Sequence, residues 1–363
     1  MMQIALAIDA LSNQLTGIGR YAWHLSQGLA MHPTVESVRY YRDRRWFDDA
    51  SPFLTEGPAR RNRVPRFLRR LAHARGFRGR IFHAPNYLLP LEAERPIVTV
   101  HDLSVFHYPQ FHPAARVQAF ERNFWRSLAA ASHIITDSEW IRRELGTFAQ
   151  IPLDRITAVP LGVEPAFFRD SQPQDGALLA RYGLAPEQYA LCVATLEPRK
   201  SLEKAVAAFE DYAERHATGL KLAIAGADGW QDGPLRAQLE GAQRRGRVVL
   251  LGFIEDRYLP AIYANARLFL FPSVYEGFGL PPVEAMAAGV PTIVSNRSCL
   301  PEVMQGAAML IEPDDMRAFS DAIARGLEDD SWRASSIEKG KRVARGYTWR
   351  RCVDETVNVY RKV

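Results

Sequence analysis

The sequence predicts an α/β fold of two successive doubly wound parallel-sheet domains. Three observations carry that expectation: strand-like and helix-like stretches alternate through the first half, the alternation lapses over residues 165–176, and it then restarts. Such alternation buries a parallel sheet under helices on both faces. With 363 residues, the chain has room for two cores of this kind. Residues 3–9 read as a buried strand and 17–31 as a helix entered through G-I-G-R. Strands are expected at 81–85, 96–102, 133–138 and 155–163, which are apolar runs of strand length. A helix at 114–131 shows itself by Val117, Phe120, Phe124 and Leu128 at helical spacing. The stretch P-A-F-F-R-D-S-Q-P-Q-D-G is polar, proline-bearing and without period, and marks the domain boundary. Beyond it come strands at 189–195, 220–226, 248–253, 267–271, 291–295 and 308–311, with a helix at 201–215. Domains are therefore expected at 1–165 and 166–347, with a closing helix in 348–363 that carries Val353, Val357 and Tyr360 on one face. Ligands of doubly wound sheets lie beyond the carboxyl ends of the strands, where strand order reverses, here expected to face an interdomain cleft.

One stretch concentrates the chemistry. After the apolar run A-R-L-F-L-F, residues 273–291 read S-V-Y-E-G-F-G-L-P-P-V-E-A-M-A-A-G-V-P. Gly277 and Gly279 allow a tight turn that brings backbone amides close to a ligand, with Phe278 and Leu280 in the same loop. Pro281 and Pro282 suit the first turn of a helix, and Gly289 with Pro291 closes it. A strand, a glycine loop and a helix start in this order make an anion site, typically for phosphate. Glu276 and Glu284, eight positions apart, fall on different elements, so one can hold a sugar ring and the other a ribose. A second anion element, T-L-E-P-R-K over 195–200, follows a strand directly; Arg199 and Lys200 side by side suit a diphosphate.

Together these motifs resemble the donor-site signature of the retaining family-four glycosyltransferases of GT-B fold, and nearest to them the bacterial mannosyltransferases of O-antigen and exopolysaccharide assembly. The resemblance spans nearly the whole chain and is densest over 195–313. It implies two Rossmann-like domains and a last helix crossing back to the first. It implies a nucleoside-diphosphate sugar donor, with Glu276 on the hexose hydroxyls, Glu284 on the ribose, and Arg199 and Lys200 on the diphosphate. In the motif V-H-D-L, His101 would sit against the transferred sugar while Asp102 orients it or the acceptor. Gly17 and Gly19, in G-I-G-R-Y, would close over the phosphates or the acceptor. In F-H-A-P-N-Y, His83, Asn86 and Tyr87 are expected to line the acceptor pocket; Ile254 and Asp256, in G-F-I-E-D, should lie beneath the base. The chain departs from the pattern at Ala194-Thr195, where many members carry a glycine-arginine pair, and Arg199 is the candidate to take that place.

Charge is uneven. Residues 1–165 hold 21 Arg, no Lys and 15 acidic residues, a net +6, whereas the remainder has 25 basic and 26 acidic residues, a net −1. Nine arginines and no carboxylate lie between Arg60 and Arg80, interleaved with Phe67, Leu68, Leu71 and Phe77. A basic amphipathic segment of this kind fits an anionic membrane surface, and with it a lipid-linked oligosaccharide acceptor. Nucleic acid is not the expected partner, because no RNP-type motif accompanies the basic run. The first ten residues lack the basic start of a signal peptide and no apolar run nears the roughly 18–20 residues of a membrane span, so a cytoplasmic protein docked peripherally is expected. Cys192, Cys299 and Cys352 are too scattered for a metal site or a disulfide framework. The absence of any D-x-D triplet points to a reaction without a resident metal or cofactor, and that of G-x-S-x-G removes the α/β-hydrolase reading. GDP-mannose is the expected donor. UDP-sugar transfer, sugar-nucleotide epimerisation and a non-catalytic sugar-nucleotide sensor are the alternatives.

Overall fold

The computed structural model describes all residues except 56–74, 91, 112–113, 217 and 228–232. Two compact units emerge. The first comprises Met1–Leu103, Ala114–Gly162 and Trp349–Val363; the second comprises Ser104–Pro113 and Val163–Thr348.

The first unit holds β1 (Met2–Ala7), β2 (Val35–Arg42), β3 (Arg45–Phe47), β4 (Ile81–Ala84), β5 (Arg95–Val100), β6 (His133–Thr136) and β7 (Ile156–Ala158). Their order across the sheet is β3-β2-β1-β4-β5-β6-β7, and all pairs are parallel except β2–β3. Central strands read as near-continuous apolar runs because helices cover both faces. The β2–β3 hairpin turns at Asp43 and Arg44, both at positive φ (50° and 61°). Two such residues match the right-handed twist of the flanking strands. The first helix, Gly17–Met31, starts at Thr16, whose hydroxyl accepts from the Gly19 amide. A second helix, Glu139–Ala149, is capped by Ser138 in the same way. The final helix, Trp349–Tyr360, lies against the first one. At the crossing is Gly28, where a Cβ would come within 2.4 Å of Val353 Cγ2, so only glycine permits this approach.

The second unit holds β8 (Tyr189–Val193), β9 (Lys221–Ala225), β10 (Val248–Gly252), β11 (Leu268–Phe271), β12 (Thr292–Ser295) and β13 (Met309–Ile311). The order β10-β9-β8-β11-β12-β13 is parallel throughout. Strand order therefore reverses between β8 and β11, which makes their carboxyl ends the ligand position of a Rossmann-type sheet. Residues 165–176, read from sequence as the boundary, are ordered on this unit. Phe167 is buried against Tyr263 (centroids 5.5 Å apart), and the Arg169 guanidinium donates to both Asp175 oxygens at 2.8 and 2.9 Å.

Among the described residues no helix is long and apolar enough to cross a membrane. Of the arginine-rich segment, positions 60–74 lie outside the described residues. Phe77, counted from sequence as part of its lipid-facing apolar set, is 1% exposed and packs on Trp46, Tyr41 and Phe82; it belongs to the core.

Candidate functional site

Both loops singled out in the sequence leave the two strands that flank the reversal point. After β8 the chain runs through Ala194–Glu197 into a single 3-10 turn, Pro198–Lys200, and Ser201 at φ 49° releases it into the helix Leu202–His216. After β11 it passes Pro272 and the loop Ser273–Gly279 into the helix Leu280–Ala287. The loops are laced together. The Val274 amide donates to the Arg199 carbonyl (3.0 Å), and Arg199 Nη1 donates to the Tyr275 carbonyl (2.8 Å). Lys200 Nζ donates to Glu276 Oε1 at 2.6 Å, and Arg199 Nη1 lies 3.5 Å from Glu276 Oε2. Arg199 Nη2 also donates to Glu197 Oε1 at 2.7 Å. Two cations and two carboxylates thus form one cluster, each side chain only 9–14% exposed. Long basic side chains lose rotamer entropy when they grip an anion. Here Glu197 and Glu276 have already fixed them.

Glu276 is held from below as well. Its amide donates to Ser298 Oγ (3.0 Å) and its carbonyl accepts from Cys299 Sγ (3.1 Å). Phe278 and Leu280 turn their side chains into the core, Phe278 edge-on to Tyr347 at 5.2 Å, so the loop presents their backbone rather than their side chains. Gly279 caps the helix at φ 90°, and a Cβ there would meet Leu300 Cδ2 at 2.8 Å. First-turn N–H groups of a helix lack intrahelical acceptors, and the prolines at 281 and 282 have none to offer. Glu284, one turn in, is 4% exposed and accepts from the Tyr263 hydroxyl at 2.9 Å. On the loop after β10, Ile254 is buried and Asp256 exposed; the half-exposed apolar ring there is Phe253. The structure therefore brings Arg199, Lys200, Glu276 and Gly277–Leu280 together. Sequence reading missed Glu197, Ser298 and Cys299; only Glu197, inside L-E-P-R-K, left a signal.

In the first unit, three adjacent strand ends meet at His101. Its Nδ1 lies 2.7 Å from Asp137 Oδ2, just beyond β6, and its Nε2 lies 2.7 Å from the Pro85 carbonyl, just beyond β4. The Pro85 carbonyl only accepts, so Nε2 carries a hydrogen, and Nδ1 shares a proton with the Asp137 carboxyl. Burial pulls the His101 pKa down, but the Asp137 charge and the two acceptors outweigh it and the net direction is up. Burial likewise pushes Asp137 up. The motif T-D-S gave no sign of this partner.

Asn86 is partly exposed. Tyr87 sits at φ 55°, a strained conformation for a bulky residue, held by its amide to Thr99 O (3.1 Å) and its hydroxyl to the Asp102 amide (3.1 Å). Gly17 is exposed, while a Cβ on Gly19 would press on Ala10 O at 3.0 Å.

His83 is different from the expectation. It has no exposed surface, and its two nitrogens pair with Thr99 Oγ1 and the Tyr360 hydroxyl, both at 2.8 Å. Its imidazole is a core hydrogen-bonder rather than a pocket wall. Burial, then the nearby His101 charge, lowers its pKa to about 3. A lowered histidine pKa means stability that is complete above pH ~6.5 and lost as pH falls towards 3. Each pH unit in that window should cost about 1.4 kcal/mol. The melting temperature of His83→Gln should consequently fall less steeply between pH 6.5 and 4 than that of the wild type, and parallel curves would disprove the assignment.

Two α/β units of this topology, with paired basic and acidic side chains at the reversal point of the second, are those of the GT-B fold. Solved structures agree on the fold. Sucrose-phosphate synthase from Thermosynechococcus elongatus superposes with a TM-score of 0.73 at 22% identity, covering 100% of this chain and 99% of that one. WaaG, a glycosyltransferase involved in lipopolysaccharide biosynthesis, gives 0.72 at 15% identity, covering 98% and 99%. Residues 15–167 match the family described as Glycosyltransferase Family 4, and 181–343 that described as Glycosyl transferases group 1. The chain is 34% identical over 379 residues to O-antigen chain mannosyltransferase B of Escherichia coli, covering 99% of this chain and all of that relative. It belongs to glycosyltransferase family 4 and is a glycosyltransferase.

Proposed function

We propose that the protein is a retaining, metal-independent mannosyltransferase that moves mannose from GDP-mannose to a hydroxyl of a lipid-linked oligosaccharide in bacterial surface-polysaccharide synthesis. The observation that carries this reading is the 2.6 Å pairing of Lys200 with Glu276 at the sheet's reversal point, with Arg199 alongside. Arg199, Lys200 and the Gly277–Leu280 amides would receive the diphosphate, and Glu276 would accept hydrogen bonds from the hexose hydroxyls. Glu284 is assigned to the ribose, Ile254 and Asp256 to the base, and Gly17 and Gly19 to the phosphates. Asn86, Tyr87 and Asp102 are assigned to the acceptor. His101 would meet the sugar through its backbone, since its ring is engaged on both sides. The mannosyl specificity rests on the Escherichia coli relative, and the membrane surface on the arginine excess of 60–80.

In the proposed step the C1–O bond to phosphate breaks and a C1–O bond to the acceptor forms on the same face. The acceptor's hydroxyl proton passes to the departing phosphate oxygen. Arg199 and Lys200 take up the charge that develops there, a preorganised electrostatic role that needs no divalent ion. An inverting route would need a base at the acceptor. The His101–Asp137 dyad does not offer one, because Nε2 already donates to Pro85.

A thermal-shift screen of GDP, UDP, ADP and dTDP sugars tests the donor. GDP-mannose should stabilise most, by about 2.7 kcal/mol at a hundred times its Kd. Transfer should persist in excess chelator with retained anomeric configuration. A larger shift with a UDP sugar would move the donor assignment, and strict dependence on added Mg²⁺ would falsify the metal-free scheme.

A further inference from the structure

The two carboxylates of the Arg199–Lys200 cluster are held in unlike ways, and the difference decides which of them can leave. Glu197 directly precedes the Pro198–Lys200 turn. Its Oε1 accepts from Arg199 Nη2 at 2.7 Å, while Lys200 Nζ stands 4.0 Å off. Glu276 comes from the facing loop and divides its oxygens between the cations, Oε1 to Lys200 Nζ at 2.6 Å and Oε2 towards Arg199 Nη1 at 3.5 Å. One oxygen to each cation is also how a phosphate group meets a basic pair.

Arg199 does not depend on Glu276. Its Nη2 keeps Glu197, and its Nη1 donates to the Tyr275 carbonyl at 2.8 Å. Lys200 does depend on it. Among the described residues its ammonium otherwise has only Glu197 at 4.0 Å and the Phe271 ring at 5.6 Å, and its side chain is 13% exposed. A cation so little exposed keeps an anion close, because an unpaired charge in a dry setting is costly. The main chain of Glu276 is pinned by Ser298 Oγ (3.0 Å) and Cys299 Sγ (3.1 Å), so its carboxylate leaves Lys200 by a change of rotamer alone.

We infer that Glu276 is an internal competitor for the diphosphate: it neutralises Lys200, and a phosphate group takes its place by exchange of one anion for another. The inference rests on the reading of Arg199 and Lys200 as diphosphate ligands. Exchange keeps the ammonium paired throughout, and phosphate prevails because it carries more charge and more acceptor oxygens than a carboxylate. It also couples two events, since the carboxylate is released to accept hydroxyls only once a diphosphate holds Lys200. The competition leaves a mark on affinity. An apparent dissociation constant rises by the reciprocal of the binding-competent fraction, so a fraction of about one tenth weakens the diphosphate about tenfold.

Isothermal titration calorimetry of GDP and of UDP against the full-length protein, at fixed ionic strength, tests the exchange. Both nucleotides carry the diphosphate, and the one that binds the wild type more tightly is compared across variants. Glu276→Gln, which keeps the size of the side chain without its charge, should bind that nucleotide about tenfold more tightly than the wild type. Lys200→Ala should bind it about tenfold or more weakly. Glu197→Gln removes the same charge from the cluster without touching the exchange and should not reproduce the gain. Glu276→Asp withdraws the carboxylate from Lys200 and should also tighten binding, which provides a second variant should Glu276→Gln fold poorly. Equal or weaker binding by the folded Glu276 variants, with binding still lost in Lys200→Ala, overturns the exchange and leaves the diphosphate reading standing. A gain in Glu197→Gln equal to that in Glu276→Gln also overturns it, by reducing the effect to net charge. Wild-type affinity in Lys200→Ala, or no binding of either nucleotide by the wild type, overturns the diphosphate reading and the exchange with it.

Discussion

Lys200→Ala is expected to lower kcat/KM about 100-fold or more in protein that remains folded. The expectation follows from where the ammonium sits. It is 13% exposed, 2.6 Å from Glu276 and in the cluster that Arg199 shares. In such a partly dry setting a positive group stabilises a departing diphosphate far better than it would in water. Its removal leaves Glu276 facing Arg199 alone at 3.5 Å, so the carboxylate loses its shorter partner as well. Glu276→Gln tests the other half of the pair, and the double variant tests whether they act as a unit. If they do, the combined loss in kcat/KM falls well short of the product of the single losses. Near-normal turnover in folded Lys200→Ala would remove it from the mechanism, and strictly multiplicative losses would mean that the 2.6 Å contact has no catalytic consequence.

The second large effect concerns His101 and Asp137. Both are more than nine-tenths buried, and removal of one member of a buried ion pair costs about 3–5 kcal/mol. Asp137→Ala should therefore melt markedly lower than the wild type. Asp137→Asn distinguishes charge from shape. An asparagine amide can donate to Nδ1 while Nε2–H still donates to Pro85, so the ring stays in place but is neutral. The sign of the pH effect follows from the raised His101 pKa. The stability this group contributes is complete below the ordinary histidine value of ~6.5 and is lost as pH rises through the raised one. Asp137, whose own pKa burial raises, adds to the preference for the proton-bearing pair. The wild type's advantage over Asp137→Asn should shrink as pH climbs above ~6.5. Melting curves that stay equally separated across that range would show that the proton shared with Asp137 contributes nothing. Because His101 ties the ends of β4, β5 and β6 together, the same series should move activity and stability in parallel.

Much of this architecture was legible in the chain because it depends on local pattern. Buried parallel strands are short apolar runs, and helix starts carry their own caps. The glycine loop at 277–279 declares itself through Gly277, Gly279 and the two prolines that follow, residues that backbone geometry demands wherever they fall. The hairpin at 35–47 left a weaker trace. Its turn uses Asp43 and Arg44 at positive φ, where glycine or asparagine would have announced it, and β2 is only partly buried.

Side-chain partnerships behaved differently. His83 looked like a pocket residue from its neighbours in sequence, yet its fate is set by Tyr360, 277 positions away. Phe77 looked lipid-facing within an arginine run and is a core ring. Asp137 carries no motif; it gains meaning only when β5 and β6 lie side by side. By itself the sequence determined the α/β class, the two sheets, and the loops able to receive an anion, since periodicity, turn chemistry and capping are read within a few residues. Only the tertiary structure decided which polar groups face a ligand and which are consumed in the core. Hydrogen bonds and ion pairs between distant strand ends depend on distances that the chain acquires when the sheets assemble.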